Sequence, residues 1–255
     1  MSVELTMRED CTVLTLNRPE ALNALSFDIL RQIGDAFDKL AQSKARALIV
    51  TGAGTKAFCA GADIKELRNR DLMAQKRGAE LGQAVFAKLD TLPMPSVAVI
   101  NGFAFGGGLE LALACTFRLA TRNAKMGLPE IKLGLVPGYG GTQRLPRVVG
   151  EARALEMIMT GRTVAAEEAE RIGLVNRLVD GDAVEAGVAF AHEFTIYSLP
   201  VLALTRDAVK RALDVPIHEG LKIEADLSTL AFQTKDAAEG TAAFEDKRKP
   251  RFRDE

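Results

Sequence analysis

The chain carries almost no net charge: 33 lysines and arginines stand against 34 aspartates and glutamates, leaving −1 over 255 residues. That balance gives no electrostatic basis for gripping nucleic acid, which takes a basic stripe or patch. Histidine is nearly missing, with only His192 and His218, and neither sits beside a cysteine cluster. Neither a histidine-based metal centre nor a Ser-His-Asp triad is therefore expected, and no metal is assigned. The three cysteines, Cys11, Cys59 and Cys115, lie far apart and form no CxxC pair. They read as reduced thiols packed as small apolar groups. No apolar run reaches the roughly 18 residues of a membrane helix. The opening MSVELTMRED lacks a signal-peptide core, so a cytoplasmic protein is expected. What remains is a chain that is 47% hydrophobic and 26% charged, the composition of a packed globule. Its chemistry has to rest on carboxylates and backbone.

The apolar pattern alternates strand and helix. Val3–Met7 and Cys11–Leu16 flank a short polar turn and predict a hairpin. Ser26 precedes Leu30, Ile33, Phe37 and Leu40 at helical spacing and predicts a capped helix. Strands are expected at Ala47–Thr51, Ser96–Ile100, Phe117–Thr121 and Leu174–Val179. Helices are expected from Ala62 to about Arg70, through Leu81, Val85, Leu89 and Leu92, over Glu151–Thr160, and over Val164–Ile172 behind a Thr163 cap. Residues 129–150 read as a loop-rich stretch, and loops of that length carry function more often than they merely connect. From about Tyr197 the pattern is wholly helical. The fold class is α/β with helices covering the sheet faces.

Residues 97–111, VAVINGFAFGGGLEL, are the most informative stretch. An apolar strand runs into Gly106-Gly107-Gly108, and Glu110 follows inside the first turn of an apolar helix. Such a turn aims unpaired N–H groups and the positive end of the helix dipole at whatever lies in front. A carboxylate beside that backbone site suits an enzyme that stabilises an oxyanion while moving a proton. Glu130 sits in a second apolar, glycine-bearing segment, Gly127-Leu128-Pro129-Glu130. Apolar surroundings raise a carboxyl pKa and fit it for proton transfer near neutrality. Gly61-Ala62 offers another candidate orphan amide. Gly52-Ala-Gly54-Thr-Lys-Ala57 has the spacing of a dinucleotide fingerprint, but Phe58–Gly61 interrupts the helix that the fingerprint needs. The basic run Lys247-Arg248-Lys249 reads as a solvated tail, or as a contact to a phosphate-bearing ligand or a neighbouring subunit.

Together, NRPEALNAL (17–25), FCAGADIKE (58–66), INGFAFGGGLELA (100–112), GLPEIKLGLVPGYGGTQRLPRVVG (127–150) and LTRDAVKRAL (204–213) resemble the enoyl-CoA hydratase (crotonase) family. They run in family order over nearly the whole chain. The resemblance implies a spiral of ββα turns over residues 1–196 and a C-terminal helical oligomerisation region over 197–255. It implies a homo-oligomer, either a trimer or a dimer of trimers. It implies that the carbonyl of an acyl-CoA thioester sits between the amides of Ala62 and Gly107. Glu110 then activates a water towards C3 of a trans-2-enoyl-CoA, Glu130 exchanges a proton with C2, and Gly138 lies near that water. Ala24, Ala60, Asp63 and Ile64, with Phe244 and Lys247 of the last helix, fall where the family holds CoA. No cofactor is implied, since CoA belongs to the substrate. Leu128 and Tyr139 stand where some hydratases carry a polar and a small residue. Three other readings are enoyl-CoA isomerisation, hydration of a branched or aromatic acyl-CoA, and a non-enzymatic RNA-binding protein of the same fold.

Overall fold

A computed structural model describes residues 2–255. The chain opens with an antiparallel hairpin, β1 (Val3–Arg8) and β2 (Cys11–Leu16). A 3₁₀ turn at Pro19–Ala21 leads into α1 (Phe27–Leu40), whose N-cap Ser26 accepts a hydrogen bond from the Ile29 N–H at 3.1 Å. Helix α1 buries Leu30, Ile33, Phe37 and Leu40, the predicted stripe. Each such side chain contributes about 1.5–3 kcal/mol on leaving water.

The chain then alternates between two sheets. β3 (Ala47–Gly52) leads to β4 (Ala57–Cys59), followed by the short α2 (Ile64–Leu67) and the long α3 (Leu72–Thr91). β5 (Ser96–Ile100) leads to β6 (Phe103–Phe105) and α4 (Gly107–Ala114). β7 (Phe117–Thr121) leads to β8 (Lys125–Gly127), a 3₁₀ turn at Glu130–Leu133, α5 (Gly141–Val149) and α6 (Glu151–Thr160). β9 (Val164–Ala165), α7 (Ala166–Arg171) and β10 (Arg177–Val179) follow. α8 (Ala183–Thr195), α9 (Leu199–Arg211), α10 (Ile217–Phe232) and α11 (Lys235–Glu245) complete the chain.

In the pairs β3–β4, β5–β6 and β7–β8 the first strand enters a six-stranded sheet of order β1-β2-β3-β5-β7-β10, and the second enters a four-stranded sheet of order β4-β6-β8-β9. From β2 to β10 the large sheet is parallel. Its central strands, ALIVTG and SVAVI, are buried along their whole length, as a parallel sheet covered on both faces requires. Alternation divides them. Leu48, Val50, Ala98 and Ile100 face the main core, while Ala47, Ile49, Val97 and Val99 face Val188, Ala191 and Phe194 of α8.

Several elements differ from the sequence reading. The helix expected from Ala62 shrinks to Ile64–Leu67, because Ala62 bridges Leu25 in extended conformation and Asp63 is the N-cap. The stretch read as loop over 129–150 contains α5, which tolerates Pro146 in its interior and starts from Gly140 in the left-handed region. The segment from Val164 begins as strand β9 before turning helical, and the strand expected from Leu174 is ordered only from Arg177. GAGTKA runs into a strand, β4, not into a helix, so the dinucleotide spacing has no structural counterpart. No single helix among the described residues is long and apolar enough to cross a membrane.

Candidate active site

The small sheet positions the site. β6 ends at Phe105, Gly106 turns the chain at φ 49°, and α4 starts at Gly107. Gly108 packs so tightly that a Cβ there would stand 2.1 Å from the Cys59 carbonyl oxygen. The glycines thus press α4 against the strand before Gly61, and a Cβ placed on Gly61 would lie 3.6 Å from the Gly107 nitrogen.

Two amides are left free by this arrangement. Gly107 is the first residue of α4, so its N–H has no carbonyl a turn earlier to bond. Ala62 has an unbonded N–H for a different reason from the helix start read in the sequence. The parallel bridge to Leu25 uses the Gly61 carbonyl and the Asp63 N–H, each at 2.8 Å. The Ala62 N–H therefore faces away from Leu25. Among the described residues neither amide has a hydrogen-bond acceptor, and both residues line one cavity of about 420 Å³.

Both glutamates line that same cavity. Glu110 projects from the first turn of α4 and is 1% exposed. Its Oε1 accepts the backbone N–H groups of Tyr139 and Gly141, each at 2.8 Å. Burial pushes the Glu110 carboxyl up to about 7; the Gly141 amide opposes this, the Glu130 charge adds to it, and the Tyr139 amide opposes it again. Glu130 opens the 3₁₀ turn after β8. Its Oε1 lies 2.8 Å from where a Cβ on Gly106 would stand, which places the carboxyl over the α4 N-terminus. Burial raises its pKa too, and its Oε2 is buried without a hydrogen-bond partner. Burial of that kind penalises the charged form of the carboxyl.

The cavity wall is largely apolar. The Tyr139 ring packs edge-on to Phe86 at 5.8 Å and against Gly82 of α3. Leu133, Leu135 and Val136 stand at its edge with 59%, 45% and 72% of their surface exposed. Gly138 lines the cavity, and its carbonyl accepts from the Gln83 side chain at 2.9 Å. Of the residues expected to hold CoA, Ala60 and Ile64 line the cavity and Ala24 and Asp63 do not. The Asp63 carboxylate caps α2 and pairs with Arg18 at 3.0 Å. Phe244, 85% exposed, lies in the last turn of α11, whereas Lys247, expected in that helix, lies two residues past its end with a φ of 54°, and neither lines the cavity. The sequence reading missed the amide pair of Tyr139 and Gly141 that fixes Glu110. The glycines at 138, 140 and 141 were the available signal, since bare backbone can close on a carboxylate.

A two-sheet spiral holding two free amides, one buried carboxyl and one half-buried carboxyl around one apolar cavity has the architecture of the crotonase-type acyl-thioester proteins. The family model described as enoyl-CoA hydratase/isomerase matches residues 6–255, and the chain belongs to that family. A protein named crotonyl-CoA hydratase from Syntrophomonas wolfei is 42% identical over 253 residues, covering 98% of this chain and 97% of its own. A short-chain-enoyl-CoA hydratase from Clostridium acetobutylicum is 39% identical, covering 93% and 92%. The crystal structure of an enoyl-CoA hydratase from Bacillus anthracis superposes with a TM-score of 0.95 at 36% identity over the whole of both chains.

Proposed function

We propose that this protein is an enoyl-CoA hydratase, a hydro-lyase that reversibly adds water in syn fashion across the C2–C3 bond of a trans-2-enoyl-CoA. The observation that carries the reading is the convergence of two carboxyls and two unbonded amides on one cavity. The thioester oxygen takes hydrogen bonds from the Ala62 and Gly107 amides. Each such donor is worth about 2.7–4 kcal/mol once charge develops on that oxygen. Drawing electrons to the oxygen makes C3 electrophilic and C2 able to accept a proton. Glu110, fixed through Oε1, uses its other oxygen to take a proton from water as the water attacks C3. Glu130 delivers a proton to C2. Gly138 lies beside the water.

The reading needs one carboxyl ionised and one protonated. Burial disfavours the charged form of both carboxyls, and the Glu130 charge raises the Glu110 carboxyl further, so the two acids act on one another as such a pair requires. The exposed apolar edge of Leu133, Leu135 and Val136 suits a pantetheine or acyl chain. Ala24, Ala60, Asp63 and Ile64 bind the CoA portion in this reading, and Phe244 and Lys247 reach the CoA of a neighbouring subunit. CoA is part of the substrate, and the mechanism draws on no separate cofactor. Residues 197–255 assemble the chain as a trimer or a dimer of trimers. The exposed Ile217, Leu221, Leu230 and Phe232 of α10 support that assembly, and light scattering on the eluted protein measures it. Mass spectrometry of the product from crotonyl-CoA tests the reaction: hydration adds the mass of one water, whereas isomerisation of an enoyl-CoA leaves the mass unchanged.

A further inference from the structure

Four side chains that the hydration chemistry leaves unused meet where the β1–β2 turn touches the last turn of α8. His192 Nε2 lies 3.2 Å from Asp10 Oδ1 and 3.5 Å from Glu9 Oε2. Cys11 Sγ lies 3.3 Å from the same Asp10 Oδ1. The ligand atoms of Asp10, Cys11 and His192 all fall within 4.8 Å of one another. None of the four residues lines the catalytic cavity.

These separations have a meaning for coordination. A tetrahedral zinc site has metal–ligand bonds of about 2.0–2.3 Å, which places its ligand atoms about 3.3–3.8 Å apart. The two contacts to Asp10 Oδ1, from His192 Nε2 and Cys11 Sγ, lie within about 0.1 Å of that range. The donor types agree: one thiolate, one imidazole and carboxylate oxygens suit zinc, whereas calcium and magnesium take oxygen alone. The turn is held in place without a metal. Glu9 takes the left-handed conformation, the Arg46 N–H donates to the Asp10 carbonyl at 2.8 Å, and the Arg46 guanidinium binds the Thr195 carbonyl at 2.7 Å beside α8. The cluster opens to solvent on the side of His192 and Glu9, whose side chains are 38% and 72% exposed.

We propose that Asp10, Cys11 and His192 form a zinc site, with water in the fourth position on the solvent side, that staples the N-terminal hairpin to α8. On binding, the metal replaces the thiol proton of Cys11, which passes to solvent, and breaks the Cys11–Asp10 hydrogen bond in favour of two metal–ligand bonds. Helix α8 covers one face of the large sheet, so the site acts on stability and leaves the hydration chemistry alone.

The test uses the purified full chain, freed of metal by chelation and titrated with Zn²⁺ and, separately, with Co²⁺. One zinc binds per chain and raises the melting temperature. Co²⁺ gives a thiolate-to-cobalt charge-transfer band and the visible bands of a four-coordinate ion. His192→Ala and Cys11→Ser each lower Zn²⁺ affinity by roughly tenfold or more, and Cys11→Ser abolishes the charge-transfer band. Should Cys11→Ser fail to fold, His192→Ala, altered at a partly exposed position, decides the matter through affinity alone. Absence of a cobalt–thiolate band in the unaltered protein overturns the proposal. So does a band that survives in Cys11→Ser, or His192→Ala binding zinc as tightly as the unaltered chain.

Discussion

Replacing Glu110 with glutamine exposes what the active site costs the fold. The carboxyl titrates near 7 in the folded protein against an ordinary value of 4.5. A group whose folded pKa lies above its unfolded value binds more protons when folded, so its contribution to stability is full below about pH 4.5 and is lost as pH rises through about 7. A gap of about 2.5 pKa units, at 1.36 kcal/mol each, makes the loss about 3 kcal/mol. Glutamine keeps the oxygen that accepts the Tyr139 and Gly141 amides and carries no charge at any pH. Glu110→Gln is therefore expected to match the unaltered protein near pH 4.5 and to exceed it by about 3 kcal/mol above pH 7. In a chain of this size that is about 6–12 °C in Tm. Melting both proteins at equal concentration from pH 4.5 to 8 reads the difference, and the titrations of groups not coupled to Glu110 cancel in it. A difference that does not change with pH, or that favours the unaltered protein as pH rises, refutes the buried-carboxyl argument. The same variant loses about 10²–10⁴ in kcat through loss of general base catalysis.

Three further perturbations probe other parts of the account. Ala62→Pro removes an N–H that bonds nothing in the fold while keeping both bridge hydrogen bonds to Leu25; kcat should fall by about 10²–10³ with circular dichroism unchanged, and turnover within tenfold of the original removes Ala62 from the mechanism. Gly108→Ala drives a Cβ to 2.1 Å from the Cys59 carbonyl oxygen, a backbone atom with no room to retreat; urea denaturation should show a loss of about 1–3 kcal/mol or more, and an unchanged midpoint contradicts the packing described. Asp236, 2% exposed, accepts the backbone N–H groups of Arg253 and Asp254 at 2.7 and 2.9 Å; Asp236→Ala should cost about 1–3 kcal/mol, and a change below about 0.5 kcal/mol shows that the C-terminal segment does not dock through this residue.

Much of this architecture is legible in the chain because its long elements obey their periods. The α1 stripe, the buried strands β3 and β5 and the helices after Tyr197 follow from spacing alone. The small sheet was illegible because β4, β6 and β8 have three residues each, too few for any alternation. Helix α8 escaped because AVEAGVAFAHEFT packs through small residues, with Gly187 lying where a Cβ would meet Ile49 and Val99. At the site, GGGLE announced a polarising turn with its carboxyl, and GLPE marked the second acid. The clamp on Glu110 is marked only by the glycines at 138, 140 and 141, because its donors are backbone groups and no side chain names the carboxylate they hold. The Asp10–His192 contact spans 182 residues, and only the folded chain brings the two sides together.

The central claim is that two acids and two amides around one cavity hydrate an enoyl thioester. Steady-state loss of the conjugated-thioester absorbance of crotonyl-CoA, followed side by side for the unaltered protein, Glu110→Gln and Glu130→Gln, measures it most directly. The account predicts turnover by the unaltered protein and a fall of about 10²-fold or more in kcat for each variant. No hydration of crotonyl-CoA or of any short or medium enoyl-CoA by the unaltered protein, or near-full turnover by either variant, contradicts it.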